Sequence, residues 1–432
     1  MSRREECAWT VMIFMVADNN LSEKCELDLR EIKRAGSSED VKVIVQTDLS
    51  PAGGPTTRYF IRPGGPDSLP QEDIDDRWRE TPPEVLRDFV HWCISHHPAR
   101  HYMLLLWGHG RALDSFQVSP AEPVPRRVSP HRFSRGGRRR RRREPGGERG
   151  KPFFIICPDD QAGHAITNKE LQVMLKSVAR RIDGGKIHVL GMVACLMGMF
   201  EMCYELRESV RYMIGSESLI PDTSLPFDKI IPLLIENPGM EPGEVCRTIV
   251  REFKRFYVTN DGLPVQLSAF DLSKADALRE ELDRLAGLLT GRIRGGDAGL
   301  LNALLGSHFQ TQRYDEDQFF DLYDFCYMLR LNCGDPDVRE MCQSIMRLVG
   351  DGARPGFVVA TEFNGDALQF SYGLAIYFPW VNVNEARYGS LDFAKPLPAV
   401  GGVARPTWLD FLNTYVDGIS KTGRAERDTG EG

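Results

Sequence analysis

The chain has 432 residues, of which 42% are apolar, and its 54 Lys and Arg against 61 Asp and Glu give a formal net charge of −7. This composition excludes a disordered chain, a collagen and a disulfide-held mini-protein. The charge is uneven, because residues 113–150 contain eleven Arg and four acidic residues, or +7, which leaves −14 for the remainder. The sequence therefore predicts an acidic globular body interrupted by one strongly basic segment.

Apolar segments rich in β-branched residues alternate with helical patterns along the first half of the chain. The apolar segments are continuous, which is typical of strands buried on both faces, and lie at 9–16, 41–46, 102–107, 153–157, 187–193 and 212–215. Helical periodicity occurs between several of them, at 22–34, 83–97, 168–181 and 196–206. This alternation predicts a layered α/β fold with a mostly parallel central sheet flanked by helices.

The later part of the chain has a different pattern, with helices predicted at 242–257, 273–294 and 335–348 and strands at 357–361 and 372–378. We interpret residues 1–112 and 151–260 as the core and 261–418 as a C-terminal elaboration of helices and strands packed on it. Residues 419–432 are polar and charged, which predicts a flexible tail.

The basic segment 113–150 contains five prolines and an unbroken run of arginines from 138 to 143. It has almost no aliphatic residues, so it cannot bury enough apolar surface to offset the entropy lost on ordering. We predict a disordered surface loop.

The cysteines point to a reducing compartment, because all ten are scattered without a C-x-x-C pair. Arg3 and Arg4 precede an apolar run at 8–17, but Glu5 and Glu6 interrupt the positive charge, which favours a buried strand over a signal peptide. No apolar run approaches the roughly 18 residues of a membrane span. We expect a cytoplasmic protein with no membrane partner.

Two predicted strands each lead directly into a reactive side chain. The strand at 102–107 is followed by Gly-His-Gly with His109, and the strand at 187–193 is followed by Ala-Cys with Cys195. Both tips fall at the carboxyl edge of a parallel sheet, where functional groups gather. The helical pattern after Cys195 would place its thiol at a helix N-terminus, where the dipole favours thiolate.

This pairing predicts acyl-transfer chemistry. The thiolate of Cys195 attacks an acyl carbon, and His109 takes the thiol proton and later protonates the leaving amine. The backbone amides of Gly110 and Cys195 are suitable donors to the oxyanion. The alternative is that Cys195 is a small buried apolar residue and His109 belongs to a tight turn.

The pattern resembles the clostripain family of cysteine peptidases, which are relatives of caspases, legumains and gingipains. The resemblance rests on HG at 109–110, ACLMG at 194–198, WTVMIFMVADNNL at 9–21, DLYDF at 321–325, GLAIYFP at 373–379 and WLDFL at 408–412. It implies a caspase-like fold, a catalytic dyad of Cys195 and His109, and an endopeptidase that cleaves after a basic residue, with Arg preferred.

One position departs from that pattern. The family commonly has an acid two residues before the nucleophile, within the pocket for a basic side chain, and this chain has Val193 there. Preference for a basic residue then has to depend on other acids, and the candidates are Asp222, Glu217 and Asp228. Each is equally well explained as a solvated loop carboxylate or a helix cap.

The basic segment lies between the two reactive residues, which the resemblance associates with activating cleavage. A tethered arginine run can occupy a neighbouring cleft at an effective concentration on the order of millimolar. We predict a zymogen cleaved by itself or by an upstream protease at or near Arg135, Arg138, Arg139, Arg140, Arg141, Arg142 and Arg143.

A different class of function also fits the arginines. The protein could be an inactive, peptidase-like scaffold whose arginines bind nucleic acid through phosphates. The acidic body and the scarcity of aromatics in the segment, which has only Phe116 and Phe133, argue against nucleic acid as the main partner. Protein or peptide substrates are the partners we expect.

No cofactor is predicted. Asp18, Asp159 and Asp160 lie at predicted loop ends and could hold Ca²⁺, as in some relatives, although solvated turns explain them as well.

Overall fold

The computed structural model describes residues 6–49, 56–63, 70–73, 82–112, 152–159, 164–260, 262–314, 318–398 and 405–429. The strands of these ranges are β1 (Cys7–Ala17), β2 (Val41–Leu49), β3 (Thr57–Phe60), β4 (Pro70–Asp73), β5 (Ala99–Trp107), β6 (Gly110–Ala112), β7 (Phe154–Asp159), β8 (His164–Thr167), β9 (Ile187–Val193), β10 (Val210–Gly215), β11 (Val265–Asp271), β12 (Arg313–Tyr314), β13 (Phe319–Asp321), β14 (Val358–Asn364) and β15 (Ala375–Tyr377). The helices are α1 (Ser22–Ala35), α2 (Pro82–His96), α3 (Asn168–Ala179), α4 (Phe200–Leu206), α5 (Phe227–Glu236), α6 (Pro242–Asn260), α7 (Ala275–Arg294), α8 (Ala298–Gln310), α9 (Leu322–Asn332), α10 (Pro336–Val349), α11 (Glu385–Tyr388) and α12 (Trp408–Thr429).

One large sheet organises the fold. Its strand order is β14-β11-β10-β9-β5-β1-β2-β3-β4, in which β10, β9, β5, β1 and β2 are parallel and the strands at both ends are antiparallel. Every residue of β1 is buried, as its continuous apolar sequence predicts for a strand covered on both faces. The predicted α/β fold with a mostly parallel sheet is therefore confirmed.

Helices cover both faces of the sheet and create two apolar cores. One core packs side chains of α1, α5 and α6 against one face. The other packs α2, α3 and α4, together with the helices of the C-terminal half, against the opposite face. Both cores include alternate residues of β5 and β9, so these two strands are held rigidly at the centre of the molecule.

Several boundaries differ from those expected from sequence. Strand β7 lies in a separate antiparallel sheet of order β6-β7-β8. Residues 261–418 do more than pack on the core, because β11 pairs with β10 and β14 with β11 in the main sheet. The predicted flexible tail begins inside α12, which continues to Thr429 because residues before 419 dock on the core. These differences come from long-range pairing that local pattern does not encode.

The helix expected from residue 196 begins only at Phe200. Leu196 has a left-handed backbone with φ of 59°, which interrupts helical geometry immediately after Cys195. Cys195 therefore does not occupy a helix N-terminus, and the expected contribution of a helix dipole is wrong.

In the described part of the chain, no helix combines the length and apolar character required to cross a bilayer.

Candidate active site

The two reactive side chains extend from neighbouring parallel strands. Strands β5 and β9 pair in a register that places Trp107 opposite Val193. His109 and Cys195 each follow two residues later, so both lie at the same level beyond the sheet edge. The strands thus bring together two residues that are far apart in sequence, as the sequence analysis expected.

Gly110 allows the backbones of the two tips to touch. A Cβ atom at Gly110 would lie 2.5 Å from the carbonyl oxygen of Cys195 and 2.9 Å from Cβ of Ala194. Neither distance is possible for a real side chain, so this position requires glycine. The donation of the Gly110 and Cys195 amides to an oxyanion remains a prediction.

The nucleophile candidate sits in a tight turn between β9 and α4. Leu196 adopts its left-handed conformation while its N–H donates to Ser218 O at 3.1 Å. The N–H of Gly198 donates to Ser216 O at 2.7 Å. These bonds fix the turn against the segment that follows β10, which offsets the strain of order 1–2 kcal/mol of a left-handed non-glycine residue.

The same segment covers the sulfur of Cys195, which is only partly exposed. The Ile220 N–H lies 3.4 Å from Sγ, and Sγ lies 3.8 Å from Ile220 O. An N–H directed at sulfur stabilises a thiolate, whereas the carbonyl contact suits the protonated thiol. Ile220 can therefore contact either protonation state of the nucleophile.

Sequence reasoning missed the partner of His109. Its Nε2 lies 2.7 Å from Oδ1 of Asn20, in the loop between β1 and α1. Because an amide oxygen only accepts, Nε2 carries the proton and Nδ1 is the nitrogen that can accept one. Asn19 supports this loop, since its side chain bonds Pro158 O at 3.2 Å and accepts from Leu21 N at 2.9 Å. The two asparagines of the ADNN motif were the available signal.

A cleft of about 210 Å³ opens between the two reactive residues. Its walls are mostly apolar, and the residues that form them are Leu21, Trp107, Gly108, His109, Val193, Ala194, Cys195, Leu219, Ile220, Pro221, Asp222 and Ser224. Leu219 is 66% exposed, which is unusual for a large apolar side chain. The cleft therefore presents a mostly apolar surface directly beside the two reactive residues.

The structure separates the residues proposed for the substrate pocket. Val193 and Asp222 line the cleft. Glu217 is fully buried and accepts from Gly373 N at 3.0 Å, where burial and the neighbouring Asp321 raise the pKa of Glu217 well above its ordinary value. Asp228 is on α5 and pairs with Lys229 at 2.8 Å. Neither Glu217 nor Asp228 is among the cleft residues.

Two groups of predicted residues cannot be placed. Arg135 and the arginines at 138–143 lie outside the described residues, as does Asp160 of the calcium hypothesis. Across the described ranges, no group of three or more His, Cys, Asp or Glu is arranged to hold a metal ion.

Comparison with known proteins identifies the family. The model of the Clostripain family matches residues 13–122 and 151–373. Clostripain from Hathewaya histolytica is 22% identical over 96% of this chain and 82% of that protein.

Two solved structures have a similar fold. An inactive zymogen C11 protease from Parabacteroides distasonis has a TM-score of 0.58 and 14% identity, covering 91% of this chain and 98% of that chain. A secreted C11 cysteine protease from Bacteroides thetaiotaomicron, in complex with an irreversible peptide inhibitor, has a TM-score of 0.59 and 16% identity, covering 95% and 99%. The resemblance found in the sequence is thus confirmed: the chain belongs to the clostripain family and is a cysteine peptidase.

Proposed function

We propose that the protein is a cysteine endopeptidase that cleaves after a basic residue, with Arg preferred, and that it is made as a zymogen. The observation that carries this proposal is the meeting of His109 and Cys195 at the ends of adjacent strands in one cleft. A nucleophile and the base that takes its proton must lie close together in an accessible site. A Cys and a His that are merely buried in a core have no reason to meet at one cleft.

The residues suggest a sequence of proton and bond changes. Nδ1 of His109 takes the thiol proton as Sγ of Cys195 bonds the scissile carbonyl carbon. The protonated imidazole then gives its proton to the leaving amine, the C–N bond breaks, and a thioester remains. His109 next removes a proton from water, which attacks the thioester, and the sulfur leaves as the free acid forms. Asn20 keeps the proton on Nε2 throughout.

Preference for a basic side chain is supported by charge. The chain outside residues 113–150 carries −14, and Asp222 is an acid on the wall of the cleft. Together, Asp222 and this net negative charge raise the local concentration of basic peptides and accelerate their encounter with the site.

The zymogen proposal is supported by where the basic segment is attached. Ala112 of β6 pairs with Phe154 of β7, so both ends of the intervening chain leave one hairpin, three residues beyond His109. An arginine-rich chain tethered there can compete with substrate at an effective concentration on the order of millimolar. One structural relative is described as an inactive zymogen.

Peptidase activity is tested with fluorogenic peptides that differ only in the residue before the scissile bond, which is Arg, Lys or Asp. We expect wild type to prefer Arg, and Cys195→Ala and His109→Ala to lose at least about 10³-fold in kcat/KM. Cys203→Ala is a matched control, because that thiol is fully buried on α4. Equal turnover by wild type and Cys195→Ala would contradict the proposal.

Activation is tested by mass spectrometry of incubated wild type and Cys195→Ala. Cleavage within 135–143 only in wild type means autocatalysis, and cleavage only after another protease is added means a cascade. A variant in which Arg135 and the six arginines at 138–143 become glutamine keeps the segment length and should resist this cleavage. Full activity of wild type with an intact segment would refute the zymogen proposal.

A further inference from the structure

Two buried carboxyl groups lie behind the segment that covers the nucleophile. Glu217 follows β10 and Asp321 ends β13, and neither side chain is exposed to solvent. Oε2 of Glu217 accepts the N–H of Gly373 at 3.0 Å, and Oδ2 of Asp321 lies 3.2 Å from the same nitrogen. One backbone N–H therefore serves both carboxyl groups, which also hydrogen-bond each other. The fold thus brings two acids from distant parts of the chain into direct contact.

This pair of acids has no cationic partner within the described part of the chain. None of the Lys, Arg and His side chains described there forms an ion pair with either carboxyl group. The titratable groups that face the pair are a further acid, three hydroxyls and a thiol: Tyr314 of β12, Tyr323, Asp324 and Cys326 of α9, and Tyr372 before β15. The polar neighbours from β11 and β14 carry no charge, and they are Gln266, Ser268 and Thr361.

Two acids in such contact cannot both be ionised at neutral pH. Burial and the neighbouring Asp321 raise the pKa of Glu217 well above its ordinary value, and burial raises the pKa of Asp321 to about 7. Because like charges at hydrogen-bond distance repel strongly in a buried site, the pair keeps a proton that two separate carboxyl groups would release. The result is an O–H···O⁻ hydrogen bond from Glu217 to Asp321, which belongs to the short and strong class.

The segment that contains Glu217 also fixes the turn that carries the nucleophile. The carbonyl oxygens on either side of Glu217 accept two N–H groups of the turn after Cys195, at 2.7 and 3.1 Å. The N–H of Ile220, three residues further on, lies 3.4 Å from Sγ of Cys195. The C-terminal half reaches the same turn, because the N–H of Ala375 donates to Gly198 O at 3.0 Å. A displacement of Glu217 would therefore move the groups that hold the sulfur in place.

We propose that Glu217 and Asp321 share one proton and that this bridge positions the nucleophile, because it holds segment 216–220 against the turn that carries Cys195. Neither acid lines the cleft, so both act through Cys195 and not on the substrate. The inference rests on the proposed role of Cys195 and concerns how its sulfur is held. When the shared proton leaves, two buried negative charges repel each other, Glu217 separates from Asp321, and Ile220 moves away from Sγ. Catalysis then fails although both members of the dyad are intact.

The test replaces the shared proton by an amide. Glu217→Gln donates an N–H to Asp321 at every pH, whereas Glu217→Ala donates nothing. Glu205→Gln is the matched control, because Glu205 is a buried acid that faces a second acid, Asp392, near the end of α4. The values of kcat and KM are measured with one fluorogenic peptide from about pH 5 to about pH 10, on enzyme activated in the same way for every variant.

The proposal predicts a different result for each variant. We expect Glu217→Ala to lower kcat at neutral pH by at least about tenfold with less than about a twofold change in KM, because the acid positions the sulfur and does not bind substrate. Glu217→Gln should keep kcat within about threefold of wild type and should move the alkaline fall of kcat to higher pH by at least about 1 pH unit. Glu205→Gln should keep the wild-type pH profile.

Several outcomes would overturn the proposal. They are a wild-type pH profile in Glu217→Gln, a loss in Glu217→Gln as great as in Glu217→Ala, a change confined to KM, and an equal effect of Glu205→Gln. Melting temperature reports folding, and if Glu217→Ala does not fold, Asp321→Asn gives the same pH comparison, because its amide donates to Glu217. Activity that survives Cys195→Ala would instead refute the proposed nucleophile, and this variant tests that point separately.

Discussion

Asp28 of α1 is buried and accepts the indole N–H of Trp107 at 2.8 Å, and its substitution by asparagine makes a quantitative prediction about stability. Burial raises the pKa of Asp28 from its ordinary 3.8 to about 7; Trp107 and Ser224 oppose the rise, Glu31 adds to it and Lys24 opposes it. Between these values the folded protein keeps a proton that the unfolded chain releases, so stability falls as pH rises through this window. This shift lowers the free energy of unfolding by about 4 kcal/mol between about pH 4 and about pH 7.

Asparagine does not ionise, so the variant should lack this loss. We expect the difference in unfolding free energy between Asp28→Asn and wild type to move in favour of the variant by up to about 4 kcal/mol from about pH 4 to about pH 8. Urea unfolding followed by tryptophan fluorescence measures it, with Cys195→Ala in both proteins to prevent self-cleavage. Glu26→Gln, at an exposed position of the same helix, should show no such trend. Parallel pH profiles for Asp28→Asn and its parent would refute the reasoning that Asp28 is buried without a counter-ion.

Two further substitutions examine the catalytic geometry. Gly110→Ala should lower kcat by more than about tenfold, because its Cβ would lie 2.5 Å from the carbonyl oxygen of Cys195. Gly239→Ala is the control and should leave kcat unchanged, because a Cβ there meets no atom within 4 Å. Equal activity of the two variants would contradict the close approach at Gly110. Asn20→Ala should lower kcat by about tenfold to a hundredfold with little change in KM and alter the pH profile of kcat, because His109 loses the acceptor that fixes its tautomer. A change in KM alone would assign Asn20 to substrate binding instead.

Local pattern was sufficient for the elements nearest the site. The continuous apolar run of β9 was predicted with its observed bounds, and β5 was predicted apart from its first three residues. Strands that are buried on both faces show this directly as uninterrupted apolar sequence, and their carboxyl ends must share one edge. Sequence alone therefore predicted that His109 and Cys195 would lie at one edge of the sheet, and the pairing of β5 with β9 made them neighbours.

Tertiary structure decided which polar groups surround that pair. The left-handed turn at Leu196 is stabilised by Ser218, and no local signal marks a non-glycine residue there. In the sequence, Glu217 and Asp222 are both acids in the segment that follows the same strand. In the structure, Glu217 accepts a hydrogen bond from Gly373 in the C-terminal half, whereas Asp222 lines the cleft.

Asp28 shows most clearly what sequence alone cannot predict, because an aspartate on an amphipathic helix suggests only a solvated carboxylate. Its burial follows from the packing of α1 into the core that also contains Trp107, which lies 79 positions away and donates its indole N–H to Asp28. The sequence by itself predicted the α/β sheet and proposed His109 and Cys195 as its reactive residues, since each proposal depends only on a strand and the residues that follow it. The tertiary structure decided which carboxyl groups are buried and which line the cleft, because the pKa of a carboxyl group depends on neighbours that only the folded chain brings to it.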